Sequence, residues 1–401
     1  MSREVVFVDA VRTGFGRMGG TLKDFYATDL GAIAVRGLLD KTKIEEKANV
    51  DSLFCGSAAG DVVTINPARY IAMKSGMRLE TSASYVEMQC GSAIDSINHA
   101  AWKILAGAAD IMIAGGQESY SQLYAKIPTT TPPYKGMVPM PVKQRLSYLD
   151  DQDIDMLHVS DLMAKIWDIS RQECDDFALR SQQRAGAAIA NGYFKEEIIP
   201  VTIKGKKGAP DIIFAEDEHV RPNTTMEGLQ KLKPVLGPDG VTTAGNASGR
   251  NDGAAYVLMM TAEKAKELGY EPYAKWIAGA EYGVEPRIMG IGPAYSNLKA
   301  LKMAGLKVSD MDVMECNEAF AAQNLSVIKE MEKQSGEKID QEKWNPLGGA
   351  IAFGHPNGAS GARICSFTMK QLARTGGRYG FFSSCCGGGQ GVSTVIENLR
   401  I

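Results

Sequence analysis

Long apolar runs are missing from this chain: no segment reaches the ~18 charge-free apolar residues that a membrane-spanning helix needs. The opening MSREVVFVDAVRTGFG sets Arg3 and Glu4 before a short strand-like apolar run. We therefore expect a cytoplasmic protein with no membrane partner. Strong charge of either sign is missing too. Lys and Arg number 44 against 47 Asp and Glu, a net charge of −3, which leaves no electrostatic footprint for nucleic acid. Cysteine is sparse and unpatterned. The seven, at 55, 90, 174, 316, 365, 385 and 386, are odd in number and form no CxxC, which argues against a disulfide framework and a zinc site, and no metal is expected. Histidine is scarcer still, at four residues.

What is present is an ordinary globular balance, 44% apolar and 23% charged, with glycine abundant at 43 residues. At 401 residues the chain exceeds what one hydrophobic core usually serves, so more than one packed unit is expected. Strand-like runs (VVFVDA, SLFCGSA, YVEMQC, DIMIAGG) alternate with helix-period segments (LGAIAVRGLLDKT, AIDSINHAAWKILAG), the rhythm of a mostly parallel layered α/β sheet. Five prolines from Pro128 to Pro141 interrupt it and mark an insertion or lid. Within the insertion Ser170 and Glu173 form a capping box, and Phe177, Ala178, Ser181, Ala185 and Ala188 share a helix face. The α/β rhythm resumes near residue 272. CGSAIDSINHAAWKILAGAADIMIAGG and GASGARICSFTMKQLARTGGRYGFFSSCCGG share one pattern, which suggests a duplicated architecture.

Three stretches carry candidate chemistry. Cys90, in YVEMQCGSAIDS, sits at a strand-to-helix elbow whose first turn offers Ser92 and Asp95 as a capping box. Unpaired N–H groups at a helix start favour thiolate, so a lowered pKa and a nucleophilic role are expected, against the plain alternative of an inert packed thiol. His355, in NPLGGAIAFGHPNGASGAR, stands on a glycine-crowded loop where an imidazole can approach a carbonyl or take a thiol proton; a loop-capping imidazole is the alternative. In FFSSCCGGGQG, backbone without Cβ lets a developing oxyanion reach main-chain N–H groups beside Cys385 and Cys386, although a flexible turn reads the same way. A fourth stretch, CNEAFAAQ, offers Asn317 to orient a water or an oxyanion partner and Glu318 to cap a helix.

Taken in order with VRTGFGRMGG, AGGQES and AGNASGRNDGAA, these stretches resemble the thiolase family of acyl-CoA acyltransferases over nearly the whole chain. The resemblance implies an α/β fold of duplicated βαβαβαββ halves in a layered α-β-α-β-α sandwich. One half would be residues 1–120 plus 246–271, the other 272–401, with 121–245 as an inserted lid and CoA-binding loop domain. It implies Cys90 as acyl-accepting nucleophile, His355 as its activator, and Cys385 as acid and base, with Cys386 at a variable position. It also implies one oxyanion site from His355 with a water held by Asn317, and another from the N–H groups of Cys90 and Gly387. Coenzyme A would be a co-substrate, not a permanent cofactor, with Arg221 near its adenine, Ser248 on its pantetheine arm, and Met156 and Met289 lining the pocket. Implied partners are acyl-CoA and CoA within a homodimer or homotetramer.

The chain also departs from the family pattern. CxSG reads Cys90-Gly-Ser-Ala93, GHPxG carries Asn357, AGNASG is followed by Arg250 where an apolar residue is usual, and the usual MGxTAEN reads Met156-Leu-His158-Val-Ser-Asp-Leu-Met163. The departures point to a remodelled lid, an unusual acyl group (branched, carboxylated or aromatic), and room for a small accessory subunit. Other classes remain: a catalytically weak acyl-CoA carrier or scaffold, or a thiol-redox protein built on Cys385-Cys386. A β-ketoacyl synthase needs a second histidine where Cys385 stands.

Overall fold

The computed structural model describes residues 3–127, 141–206 and 208–401, so the proline-rich stretch read as a lid lies largely outside the described residues. Nine strands organise the fold: β1 (Val5–Thr13), β2 (Ser52–Gly56), β3 (Ser82–Val86), β4 (Ile111–Ser119), β5 (Asn251–Thr261), β6 (Ala274–Gly283), β7 (Met311–Cys316), β8 (Tyr379–Cys386) and β9 (Gln390–Asn398). The main helices are α1 (Ala27–Thr42), α2 (Pro67–Lys74), α3 (Ser92–Leu105), α4 (Met156–Ile166), α5 (Arg171–Ala190), α6 (Gly292–Ala304), α7 (Ala321–Ser335) and α8 (Asn357–Thr375).

The strands fall into two series. One runs β1-β5-β4-β2-β3 and the other β6-β9-β8-β7, and they join where β1 pairs with β6 through Val6 opposite Lys275 and Phe7 opposite Ala274. The first half reads βαβαβαββ. The second repeats that order, except that its third strand is reduced to one bridge, Met314 with Trp344. Helices α3 and α8 pack on each other and on strands of both series, which makes them the middle layer; α1 and α2 cover the first series outside, and α6 covers the second, with α7 packed on α6. This is the expected five-layer sandwich.

The expectation of a mostly parallel sheet is corrected. β5 is antiparallel to both β1 and β4, and β9 to both β6 and β8; parallel pairing links β2 with β3 and β4, and β7 with β8. Helices cover both faces, so β5 is buried at every position and carries, from Gly253 to Met260, the apolar run usual for parallel strands. Hydrophobic period reports burial, not direction.

The expected α5 capping box is formed by Ser170 and Glu173, and the predicted face of Phe177, Ala178, Ser181, Ala185 and Ala188 is buried. In the VRT run of β1, Arg12 is fully buried and donates to Glu197 Oε1 at 2.6 Å and to both Asp217 oxygens at 2.6 and 2.9 Å. That network fastens the first strand to the region between β4 and β5.

Candidate active site

Cys90 lies one turn before α3, in the single 3₁₀ turn Gln89–Gly91. Gln89 holds φ +48°, a left-handed conformation that costs a residue with a Cβ about 1 kcal/mol or more and turns the elbow sharply. The expected Ser92/Asp95 capping box does not form. Ser92 Oγ instead accepts from Met88 N–H at 2.9 Å and donates to Gln89 C=O at 2.7 Å, and Asp95 faces His99. The thiol is not lowered either. Burial pushes Cys90 up to about 12, Glu118 adds to the rise, and the main-chain N–H groups of Cys90 and Gly387 pull the other way. Desolvation outweighs the helix start, so the resting thiol is protonated and needs a base.

His355 supplies a neutral imidazole. The main-chain N–H of His355 donates to Gly249 C=O and to Asn251 Oδ1, both at 3.1 Å. Gly354 takes φ +88°, and a Cβ there would stand 2.2 Å from Asn251 Cγ. Glycine is required before this histidine. Nδ1 meets Ser360 Oγ at 2.6 Å, and that hydroxyl donates to Pro356 C=O at 3.1 Å, which assigns the ring proton to Nδ1. Nε2 then accepts from Asn317 Nδ2 at 3.2 Å. Burial, followed by the charge of Arg363, pushes the imidazole down to about 3.

Asn317 is fixed by its own N–H, which donates to Ser383 C=O at 2.9 Å, so it couples His355 to the strand that ends in Cys385. The neighbouring Glu318 does not cap α7. Its carboxylate accepts from Ser181 Oγ at 2.6 Å and Asn345 Nδ2 at 2.9 Å, because it is buried between these groups rather than pointed at the helix start.

On β8, alternation sends neighbouring cysteines to opposite faces. Cys385 joins the cluster of Cys316, Met163 and Met289; Cys386 enters the middle layer beside Ala93 and Ile94. All seven cysteines are free. Burial raises the Cys385 thiol well above its ordinary value, and the charge of Cys90 is the next cause. Ser384 Oγ donates to Cys90 C=O at 3.3 Å, stitching the two halves together at the elbow. A Cβ on Gly91 would stand 2.4 Å from Cys386 Sγ, and one on Gly387 would stand 3.0 Å from Gln89 Cγ and 3.2 Å from Leu146 Cδ2. Cys90, Cys385 and the half-buried Gly387 therefore come together, and Asn317, on Ser383 C=O of the same strand, links them to His355.

Two cavities adjoin it. One, about 630 Å³, is lined by Arg221, Ser248 and His219; the other, about 770 Å³, by Met156, Leu146 and Arg250. Met289 is fully buried, with Met156 at the edge of the same cluster. Sequence reasoning missed His219, which fits because Gly249 has no Cβ: one would stand 2.2 Å from His219 Cε1. It also missed Glu118, inside the quoted AGGQES. Burial pushes that carboxyl up to about 7, and it accepts from the N–H groups of Ala58 at 2.8 Å and Gly358 at 3.1 Å, joining the His355 loop to the first half. Among the described residues, no group of three or more His, Cys, Asp or Glu is placed to hold a metal ion, and no helix is long and apolar enough to cross a membrane.

A duplicated five-layer α/β sandwich, with a buried thiol and a neutral imidazole at the starts of its two central helices, defines a thiol-dependent acyl-transferring enzyme. The model of the thiolase N-terminal domain matches residues 5–263 and that of the thiolase C-terminal domain residues 270–398, and the chain belongs to the thiolase family. It is similar to a beta-ketoadipyl-CoA thiolase of Acinetobacter baylyi, with 42% identity covering 99% of this chain and 100% of the relative. Among solved structures, the Bacillus anthracis acetyl-CoA acetyltransferase superposes with a TM-score of 0.91 at 35% identity, covering 99% of each chain. Human mitochondrial 3-ketoacyl-CoA thiolase in complex with CoA superposes at 0.88 with 38% identity, covering 99% of this chain and 98% of that one.

Proposed function

We propose that this enzyme cleaves a 3-oxoacyl-CoA with CoA, or runs the reverse Claisen condensation, through an acyl group carried on Cys90. The observation that carries this reading is the meeting of Cys90, Cys385 and Gly387, from separate halves, with a neutral His355 joined through Asn317 to the strand that ends in Cys385. Cys90 gives its proton to His355 Nε2 as the sulfur attacks the 3-oxo carbon, and the oxyanion formed accepts from the N–H groups of Cys90 and Gly387. The C2–C3 bond then breaks. Its electron pair leaves with acetyl-CoA, stabilised as an enolate facing His355 and Asn317, and Cys385 protonates the carbon. The Cys385 thiolate next takes the proton of free CoA, whose sulfur attacks the acyl-Cys90 thioester. Shortened acyl-CoA leaves, and His355 returns the proton to Cys90.

Arg221 and Ser248, in one cavity, would hold CoA, with Met156 and Met289 along the acyl path. The same reading assigns residues 1–120 with 246–271 and residues 272–401 to two halves, 121–245 to the insertion, and the enzyme to a cytoplasmic homodimer or homotetramer. Relatives named for beta-ketoadipyl-CoA, 3-ketoacyl-CoA and acetyl-CoA support a 3-oxoacyl-CoA as substrate class. A panel of straight-chain, carboxylated, branched and aromatic 3-oxoacyl-CoA thioesters tests it. CoA-dependent release of acetyl-CoA from at least one is expected; CoA binding without cleavage of any would establish a carrier instead.

A further inference from the structure

The residues Ser248, Gly249 and Arg250 form a partition: the first two line the cavity shared with Arg221, and Arg250 lines the other, with Leu146, Met156 and His158. Leu146 also packs over Gly387, so this second cavity opens from the acyl-transfer spot. Arg250 lies next to His355 in a parallel bridge, and its guanidinium carbon stands 5.6 Å from the Tyr120 ring centroid. Burial raises the Tyr120 hydroxyl, and a Cys90 thiolate would raise it further. An arginine therefore stands at the wall of a pocket lined by the apolar Leu146, Ile154, Met156 and Leu157 together with several charged side chains.

This arginine has no anion of its own. The other nitrogen-bearing side chains at the cavity wall have carboxylate partners, Lys143 with Asp153 at 3.1 Å and the His158 ring with Asp155 at 2.7 Å. Arg145 is matched as well, with Asp150 at 2.6 Å and Asp153 at 3.4 Å. Among the described residues no carboxylate pairs with Arg250, and every Asp and Glu of the chain lies among them, since residues 128–140 contain neither. Arg250 is exposed while lining the cavity, so the far end of an acyl chain reaching it would arrive still partly hydrated. Its planar fork suits two parallel hydrogen bonds to a carboxylate. A CoA phosphate is the competing anion, but the residues matched to CoA line the other side of the partition.

We propose that Arg250 binds a carboxylate at the far end of the acyl chain, and that the preferred substrates are 3-oxoacyl-CoA thioesters of dicarboxylic acids. This rests on the thiolase reading above. The test compares kcat/KM for thiolysis of 3-oxoadipyl-CoA with that for 3-oxohexanoyl-CoA, which differ in the terminal carboxylate, in the native enzyme and in Arg250→Leu and Arg250→Lys. The native enzyme should favour the carboxylated chain, and Arg250→Leu should lower the ratio about ten- to a hundredfold, the worth of a charge-assisted pair, with partial recovery in Arg250→Lys. An unchanged ratio, a native preference for the uncharged chain, or an equal rise in KM for CoA with both substrates would overturn the assignment. Loss of cleavage of both chains by the native enzyme would instead strike the thiolase reading, and acetyl transfer from acetyl-CoA to Cys90 separates the two failures.

Discussion

The two halves place different chemistry at matching points of one scaffold. In each, a tight turn delivers a residue to the start of a central helix, Cys90 before α3 and His355 before α8, and in each a buried central strand ends beside that point. The strand of the first half ends in Glu118 and Ser119, held by main-chain N–H groups and by Phe25 C=O; the strand of the second ends in Cys385 and Cys386, with Gly387 left bare. One half thus presents a sulfur on a strained elbow, and the other a base, a second thiol and open backbone. Duplication supplies the positions; in the proposed mechanism the helix starts carry the nucleophile and the base, and the second strand end adds the proton carrier Cys385.

The comparison breaks most severely if the second half loses its base. His355→Ala should lower kcat/KM about 10²- to 10⁴-fold, the usual range for a positioned general base, while Cys90 stays in place; an unaffected rate would mean that another group takes its proton. The first half depends on a different kind of anchor. Arg12→Leu leaves Asp217 buried without its cation and Glu197 with Lys370 alone, and should cost about 3–5 kcal/mol in urea unfolding, with no such loss from replacing the exposed Arg378. A smaller effect comes from Ser360→Ala, which removes the Nδ1 partner of His355. About a tenfold fall in kcat is expected, with KM for CoA little changed, as the ring loses its fixed tautomer.

Acid should distinguish the halves last and least. His355 is depressed from 6.5 to about 3 in the folded state, so its contribution to stability is present above pH 6.5 and is lost as pH falls toward 3. Unfolding free energy should therefore drop from pH 7 to pH 5. In His355→Gln the drop should be shallower, and an identical slope would remove His355 from the cause.

Much of this was legible in the sequence because it lay in local pattern: the strand and helix rhythm, the Ser170 capping box, the glycines around His355 and the ordered motifs. Strand direction was not, since β5 is buried on both faces and its composition is that of a parallel strand. The Cys90 thiol was misread because burial, which a local motif does not display, outweighs the helix start. Glu318 was misread likewise; its partners Ser181 and Asn345 lie far away in the chain. His219 was invisible for the same reason, as only folding sets it against Gly249.

The most direct measurement of the central claim is the mass of cysteine peptides after acid-quenching the enzyme mixed with 3-oxoacyl-CoA and no free CoA. The account predicts an acyl group on the Cys90 peptide alone, absent in Cys90→Ala, while Cys385→Ala, exposed to acetyl-CoA, still acetylates Cys90 yet makes no carbon–carbon bond. Acyl transfer to Cys385 or Cys386, or full turnover by either variant, would contradict it.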